Sequence, residues 1–279
     1  MLGRGRSGAE RGIALVLVLW GLVAIGLVIT HITAAGRHEA RIARNAVTAA
    51  EAEAAADGGI FAAVFHLAAK DQTLQWDIDG RRHDVQVGDA LVEVTMWDDD
   101  GRINPNLAPD ILLSALFRVL AMPADQAAAL ATAISAWHDP VLKVHRDGGG
   151  EDDYRAAGRT YGPPGSPIQD IDELNRVLGM TPELLEAARP HLSICTNREV
   201  PIAEAADPVV LRALDLARQS AGGAIPLLSE TQRSLVRTVV IRSRALLPSG
   251  GQFSRQAILR MGPMLRKGYQ LLAWDRVTD

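Results

Sequence analysis

An uncharged apolar run over residues 13–29 constrains this chain more than any other feature. The run is close to the ~20 apolar residues that a membrane-spanning helix needs, and it exceeds the ~7–15-residue core of an export signal. No cleavage site of the A-x-A type follows it. The sequence therefore predicts a chain that stays anchored in a membrane through one N-terminal helix.

The short leader before this run predicts the orientation. Arg4, Arg6 and Arg11 outnumber Glu10, so the leader is positive, and positive flanks remain in the cytoplasm. We therefore expect a cytoplasmic N-terminus, with everything after about Gly36 across the membrane.

The boundary between leader and apolar run carries a second pattern. Arg11-Gly12 stands directly at the apolar edge, and the run continues without a break into a helix-forming stretch. In this respect the N-terminus resembles type IV pilins and pseudopilins, whose leader is cut after the glycine. The resemblance implies that a prepilin peptidase cleaves between Gly12 and Ile13 and that Ile13 becomes a methylated N-terminus. On hydropathy alone, an ordinary single-pass anchor is the alternative.

One position departs from the pilin pattern. Pilins usually carry Glu at the fifth mature position, where this chain has Leu17. A carboxylate is costly in lipid unless it meets a charge, and in such filaments the partner is thought to be a neighbour's N-terminal amine. A subunit at the end of the filament lacks one neighbour, so it can also lack the carboxylate.

Composition limits the partners of the remaining chain. Residues 1–12 hold three arginines and one glutamate, and without them the 29 basic and 33 acidic side chains become 26 and 32, a net charge of −6. This charge argues against nucleic acid or anionic lipid as the main partner. Cys195 is the single cysteine, so an intramolecular disulfide is excluded, and we interpret it as a small buried side chain rather than a reactive thiol.

The pattern after the apolar run predicts a long helical spine. Residues 31–69 are rich in alanine and contain no proline, and Gly58-Gly59 is the position where we expect a bend. Residues 13–70 are therefore interpreted as transmembrane helix plus spine, following a cleaved leader at 1–12.

Alternating apolar residues at each end of the remaining chain predict antiparallel strands. Residues 83–96 form a hairpin pattern around a Gly88-Asp89 turn, and 235–245, 256–261 and 269–274 repeat the signature near the C-terminus. We therefore expect one sheet, built from residues 71–103 and 229–279 and interrupted by an inserted α-helical domain at 104–228.

The insertion contains a weak internal repeat. Residues 116–123 align with 174–181 at an offset of 58, and each copy is predicted as helix, tight turn and second helix, with Thr181 capping one of them. The repeat resembles the helix-hairpin-helix unit, and it introduces a membrane-anchored DNA-binding protein as an alternative function. The turn glycines are poorly placed for that role, because Ala121 stands where the second copy has Gly179.

The order of four segments resembles one family over nearly the whole chain. The segments are residues 97–106 (WDDDGRINPN), 136–139 (AWHD), 149–154 (GGEDDY) and 168–196. Together they resemble minor pseudopilin K of type II secretion systems. The resemblance implies an α+β fold with a transmembrane and spine helix, a pilin-like antiparallel sheet and a large all-α insertion with helix-hairpin-helix-like units. It also implies a structural role at the tip of a periplasmic pseudopilus, assisting initiation or capping and protein export.

The same resemblance implies partners and a location. The partners are minor pseudopilins I and J, the major pseudopilin and the prepilin peptidase, and the location is the bacterial inner membrane with a periplasmic C-terminal domain. The alternative within this class is a tip-associated minor pilin of a type IV pilus or competence apparatus, which would share the anchor and spine.

Members of that family can bind calcium, and this chain has an acidic loop where such a site would lie. Carboxylates around Gly148–Gly150 offer the hard oxygen ligands that Ca²⁺ prefers, and Val141 stands where the family usually has a further aspartate. A solvated acidic loop is the alternative. The candidate ligands are Asp139, Glu151, Asp152 and Asp153, with Asp147 nearby.

Enzymatic motifs are missing from the sequence. It contains no nucleophile-elbow pattern, zinc-ligand helix or phosphate-cradling loop, so we expect a structural protein and not an enzyme.

Overall fold

The computed structural model describes residues 7–139, 141, 149–223 and 236–277, with side chains described from residue 15 onward except at 28 and 30–38. Its elements confirm the predicted α+β class, because a five-stranded antiparallel sheet is combined with several helices. The order of elements along the chain is a long helix, two strands, a group of helices and three further strands.

Helix α1 spans Ser7–Ala68 without interruption. Its alanine-rich, proline-free sequence favours helix propagation throughout. Gly58 and Gly59, where a bend was predicted, lie inside this continuous helix, so they do not end or divide it. Among the residues whose side chains are described, no helix combines the length and hydropathy that crossing a membrane requires.

The sheet has the strand order β1-β2-β3-β4-β5, and every neighbouring pair is antiparallel. Gly88, with φ +58°, occupies the turn between the first two strands, a conformation that costs glycine little. Strands β1 and β5 are the edges. The strands are β1 (Asp79–Val87), β2 (Ala90–Asp98), β3 (Arg237–Leu246), β4 (Gln252–Met261) and β5 (Tyr269–Arg276).

The second half of α1 packs on one face of the sheet and forms the first hydrophobic core. Ile60 and Ala56 of the helix are buried against Val92, Val94 and other inward side chains of the central strands. Because alternate residues of a strand point to the same face, the alternating pattern in β2 supplies this core directly.

A helical lobe lies between β2 and β3 and contains the second hydrophobic core. Helix α2 packs against both α3 and α6, and Phe117, Leu116 and Ile134 are fully buried there. The lobe's α-helices are α2 (Asp110–Val119), α3 (Ala124–His138), α4 (Glu151–Ala156), α5 (Pro182–Ala188) and α6 (Pro208–Ser220). Short 3₁₀-helices lie at Asp99–Gly101, Ile171–Arg176, Arg189–His191 and Ala203–Ala205.

Candidate assembly site

Two internal contacts hold the parts of this fold together: the contact between α1 and the sheet, and the contact between the sheet and the lobe. The contact between α1 and the sheet depends on small residues. A Cβ at Gly59 would stand 2.6 Å from Cγ1 of Val92 and would also overlap Ser243, and one at Gly58 would stand 2.9 Å from Cγ1 of Val87. The two glycines therefore permit close approach between helix and sheet, which explains their presence better than the predicted bend.

Arg255 of β4 holds α1 in place from the opposite side of this contact. Its Nε donates to Asp57 at 2.7 Å and its Nη2 to Glu53 at 2.6 Å, while the guanidinium lies over Phe253 and Trp274. The arginine is only 7% exposed. Burial lowers the pKa of Arg255, but the hydrogen bonds and charges of Asp57 and Glu53 outweigh it, so the net shift is upward and the charged form is secured.

The sheet and the lobe meet at three consecutive aspartates after β2. Asp98 pairs with Arg237 of β3 at 2.8 Å, and its other oxygen caps the following 3₁₀-helix by accepting from the amide of Asp100. Asp100, which is 2% exposed, accepts from the hydroxyl of Thr196 at 2.9 Å and pairs with Arg198 at 3.1 Å. These contacts connect the first residues of the lobe to residues 196–198, further along the lobe, and to strand β3.

Asp99 is the most buried carboxylate of this junction. Burial raises the pKa of Asp99, and the hydrogen bond from Ser193 and the charge of Arg102 offset that rise only in part. Gly101 closes the junction, because a Cβ there would overlap the backbone of Ala205. The three consecutive aspartates therefore connect the sheet and the lobe internally.

Asn104 and Asn106 extend the junction into the lobe. Asn104 donates from Nδ2 to the carbonyl of Thr196 at 2.7 Å. Asn106 exchanges two hydrogen bonds with the backbone of Ile168, at 2.9 and 2.8 Å. Residues 97–106, which were quoted for the family resemblance, are thus the segment that fastens the lobe to the sheet.

Comparison with known proteins agrees with this arrangement. Residues 90–197, which contain β2, the junction and much of the lobe, match the sequence profile of the family described as Type II secretion system (T2SS), protein K. This segment is similar to the protein K family. The resemblance drawn from the sequence is confirmed. The comparison with curated proteins gives no match.

A solved structure shares the fold of this chain. A chain in the crystal structure of the GspK-GspI-GspJ complex from the enterotoxigenic Escherichia coli type 2 secretion system superposes with a TM-score of 0.56 at 18% identity. The alignment covers 87% of the present chain and 99% of that chain. At this identity the likeness establishes the fold.

The two copies of the internal repeat, residues 116–123 and 174–181, share a backbone conformation at their turns. Ala121 (φ 70°) and Gly179 (φ 86°), which occupy equivalent positions of the repeat, both have left-handed backbone, and a short helix ends before each. Thr181 caps α5 as predicted, since its hydroxyl accepts from the amide of Leu184 at 3.2 Å. The copies differ in their first element, which is α-helical in α2 and a 3₁₀-helix at Ile171–Arg176.

The predicted calcium ligands lie at the two ends of residues 139–153, the acidic segment of the lobe. Asp139 follows α3 and accepts from the amide of Val141 at 2.8 Å, whereas Glu151 begins α4. Asp153 accepts from the amide of Gly150 at 2.9 Å, and Asp152 pairs with Arg155 at 2.6 Å. Their oxygen donors suit calcium chemically.

These carboxylates are not gathered into a site within the described residues. No group of three or more His, Cys, Asp or Glu side chains in the described part of the lobe or sheet is arranged to hold a metal ion. Asp147 lies outside that part. The calcium site stays a prediction.

Tyr154 positions the acidic segment against the lobe. It is fully buried, its hydroxyl accepts from the amide of Leu178 at 3.1 Å, and its ring is grouped with those of Trp137 and Tyr161. Burial raises the pKa of Tyr154 to about 12, so it is neutral at physiological pH.

The remaining predicted positions can be placed more briefly. Gly12 and Ile13 lie in the helical backbone of α1, and their side chains are outside the described set. Leu17 is 66% exposed. Cys195 is half-buried, and burial raises the pKa of its thiol, which fits the predicted unreactive side chain.

Sequence reasoning missed Arg255 and the junction carboxylates. Their partners lie far along the chain: Asp57 and Arg255, for example, are separated by most of the sequence. One pattern in the sequence could have indicated the junction: three aspartates and a glycine directly follow a strand of apolar residues. Charged side chains at the end of a buried strand need partners inside the protein.

Proposed function

We propose that this protein is a structural minor pseudopilin at the tip of a type II secretion pseudopilus, where it assists initiation or capping of the filament and export of proteins. The observation that carries the proposal is the protein K family match over residues 90–197. We also propose a structural and not an enzymatic role.

The lobe gives this role a physical basis. It is inserted between β2 and β3, and the buried junction at Asp98–Asp100 fixes it to the sheet. A head enlarged in this way would obstruct the stacking of another subunit above it, as a terminal subunit should.

We propose minor pseudopilins I and J as direct partners, with the major pseudopilin beneath them. This is supported by the likeness to a chain of the GspK-GspI-GspJ complex, which covers 87% of the present chain. The net charge expected after processing supports protein partners and not nucleic acid.

The N-terminal part of α1 supports an inner-membrane anchor. Its large apolar side chains from Leu15 to Leu27 are 54–73% exposed, which in water would be a costly apolar surface. We propose that this segment lies in the bacterial inner membrane, that a prepilin peptidase removes residues 1–12, and that the sheet and lobe are periplasmic. A structural calcium ion in the acidic segment is part of the same proposal.

Co-purification tests the proposed assignment. The tagged full-length chain, extracted from its own bacterium in mild detergent, should recover minor pseudopilins I and J and not components of a type IV pilus. Deleting its gene should stop secretion through the type II system, and the wild-type gene should restore it. Recovery of pilus components with normal secretion would instead favour the minor-pilin alternative, and recovery of DNA would favour the helix-hairpin-helix alternative.

A further inference from the structure

The first hydrophobic core ends in an open cavity beside the last turn of α1, which we call the apolar cavity. It has a volume of about 640 Å³ and lies between the end of α1, residues 75–78, the start of β3 and the turn that joins β4 to β5. Cavities of this size accommodate a small ligand or several side chains. The large apolar residues that line it are Leu67, Trp76, Ile78, Val239, Met261 and Pro263.

Trp76 gives the apolar cavity a fixed wall. Its ring lies parallel to the rings of His66 and His83, with centroids 4.0 and 4.1 Å away. Nδ1 of His66 also forms a hydrogen bond of 2.6 Å with the carbonyl oxygen of Leu74, which ties the segment before Trp76 to α1. A cavity with a preformed wall costs a ligand less ordering on binding than one that must be assembled.

A second cavity, the acidic cavity, adjoins the first where the sheet meets the lobe. It has a volume of about 390 Å³, and Ile78 and Arg237 line both cavities. Four carboxylates line the acidic cavity together with two guanidinium groups. These charged residues are Asp79, Asp98, Glu204, Asp207, Arg102 and Arg237.

The two arginines of the acidic cavity already face buried carboxylates of the junction. Arg237 pairs with Asp98 at 2.8 Å, and Arg102 pairs with Asp99 at 3.2 Å. The side chains of both aspartates are buried. The two guanidinium groups are therefore engaged on the inner side and do not compensate the carboxylates nearer the surface.

Asp79 and Asp207 present negative charge at the open side of the acidic cavity. Their side chains are 33% and 36% exposed. Asp79 pairs with Arg81 at 2.9 Å, but the arginine side chain is 81% exposed, and surface pairs of this kind are weak. A cationic group of a ligand can therefore reach carboxylates here, directly beside the apolar cavity.

We propose that the two cavities form one docking groove for an extended segment of a partner protein. Apolar side chains of the segment enter the apolar cavity, and a lysine or arginine that follows them lies against Asp79 and Asp207. Complementary charge selects this segment, because an acidic one would meet like charges. The docking groove goes beyond the proposed tip role and does not rest on it.

Peptide binding to the full-length chain in phosphatidylcholine nanodiscs tests the docking groove, with empty nanodiscs as the background. The probe is a fluorescein-labelled peptide in which three leucines alternate with serines and two lysines follow. Fluorescence anisotropy should show saturable binding, about tenfold tighter than for the same peptide with two glutamates in place of the lysines. Replacing the three leucines by serines should abolish binding, because nothing then fills the apolar cavity.

Two variants connect this binding to the two cavities. Ala68→Trp places a large ring at an exposed position that lines the apolar cavity, so it should abolish binding, whereas Ala49→Trp, on an exposed part of α1 away from it, should not. Asp79→Asn should weaken binding of the lysine peptide by about threefold, and Asp84→Asn, outside both cavities, should leave it unchanged. Equal affinity for the lysine and glutamate peptides, or unchanged binding by Ala68→Trp, would overturn the docking groove.

Discussion

Asp100 is the residue on which the contact between sheet and lobe depends most directly. Replacing it by Asn removes the charge that compensates Arg198, whose side chain is 11% exposed. Because an unpaired buried charge is costly, we expect Asp100→Asn to lower the free energy of unfolding by about 3–5 kcal/mol.

Urea unfolding of the full chain in detergent measures this loss. Glu186→Gln is the matched control, because Glu186 pairs with Arg189 at the surface, where loss of the pair should cost less than about 1 kcal/mol. Equal stability of the two variants would show that the junction does not hold the lobe.

Asp207 makes the first turn of α6 sensitive to acid. Burial alone would raise its pKa, but hydrogen bonds from His191, Val210 and Val209 outweigh burial, so the pKa is lowered. The Asp207 carboxylate therefore binds a proton more readily in the unfolded chain than in the folded one. Its contribution to stability is fully present above the ordinary aspartate pKa near 4, and it is lost as the pH falls through the lower pKa of the folded state.

Asp207→Ala should therefore cost ~1 kcal/mol at pH 7, the usual value of an N-cap, and the difference from wild type should shrink below about pH 4. Asp215→Ala, in an exposed position of the same helix, is the control and should change little. Urea titrations at several pH values measure both. A difference that grows on acidification would contradict the assigned direction.

At the scale of elements, Arg255 governs the docking of α1 on the sheet. Arg255→Met should weaken the contact between α1 and the sheet by about 2 kcal/mol, because two charge-assisted hydrogen bonds are lost. Hydrogen exchange should then become faster in α1 around Asp57, while strand β3 remains protected. Arg242→Met, on the other face of the sheet, should leave exchange in α1 unchanged.

The calcium prediction concerns Asp139, which follows α3, and the carboxylates Glu151, Asp152 and Asp153 in the first turn of α4. A ligand bound only by the folded state stabilises it by ~2.7 kcal/mol at a hundredfold excess over its dissociation constant. The full chain should therefore melt at a higher temperature with calcium than with chelator, and Asp153→Asn should reduce the difference. Magnesium should substitute poorly, since it requires a smaller, more regular shell. Equal melting temperatures and no calcium by elemental analysis would leave the solvated-loop alternative.

Elements with strong local periodicity could be predicted from the sequence. The hairpin around Gly88 and the C-terminal strands appear because alternating apolar residues match the two faces of a half-buried sheet. The function of Gly58 and Gly59 could not be predicted, because their role depends on Val87, Val92 and Ser243, which approach only in the folded sheet.

The candidate site was predictable only in part for the same reason. Thr181 caps its helix through an amide three residues away, which a local pattern reveals. Asp100 instead depends on Thr196 and Arg198, and no local rule connects them.

At the scale of the whole molecule, processing of the N-terminus decides whether the chain can enter a filament. We predict cleavage between Gly12 and Ile13, and Gly12→Leu should leave the full-length precursor in the membrane because a large side chain would obstruct the peptidase. Intact mass of the membrane-extracted protein measures this. Gly3→Leu, elsewhere in the leader, is the control, and a mature chain that begins after residue 30 would contradict the anchor.

The pairing of β2 with β3 affects how the inserted lobe can change in evolution. Asp98 and Val239 are direct partners across these strands, so both ends of the lobe leave the sheet at neighbouring points. A segment attached in this way occupies the place of a hairpin turn, and its length imposes little strain on the strands that carry it. The lobe could thus be exchanged, enlarged or reduced to a tight turn as a modular insertion, while the helix and sheet that carry it keep their register.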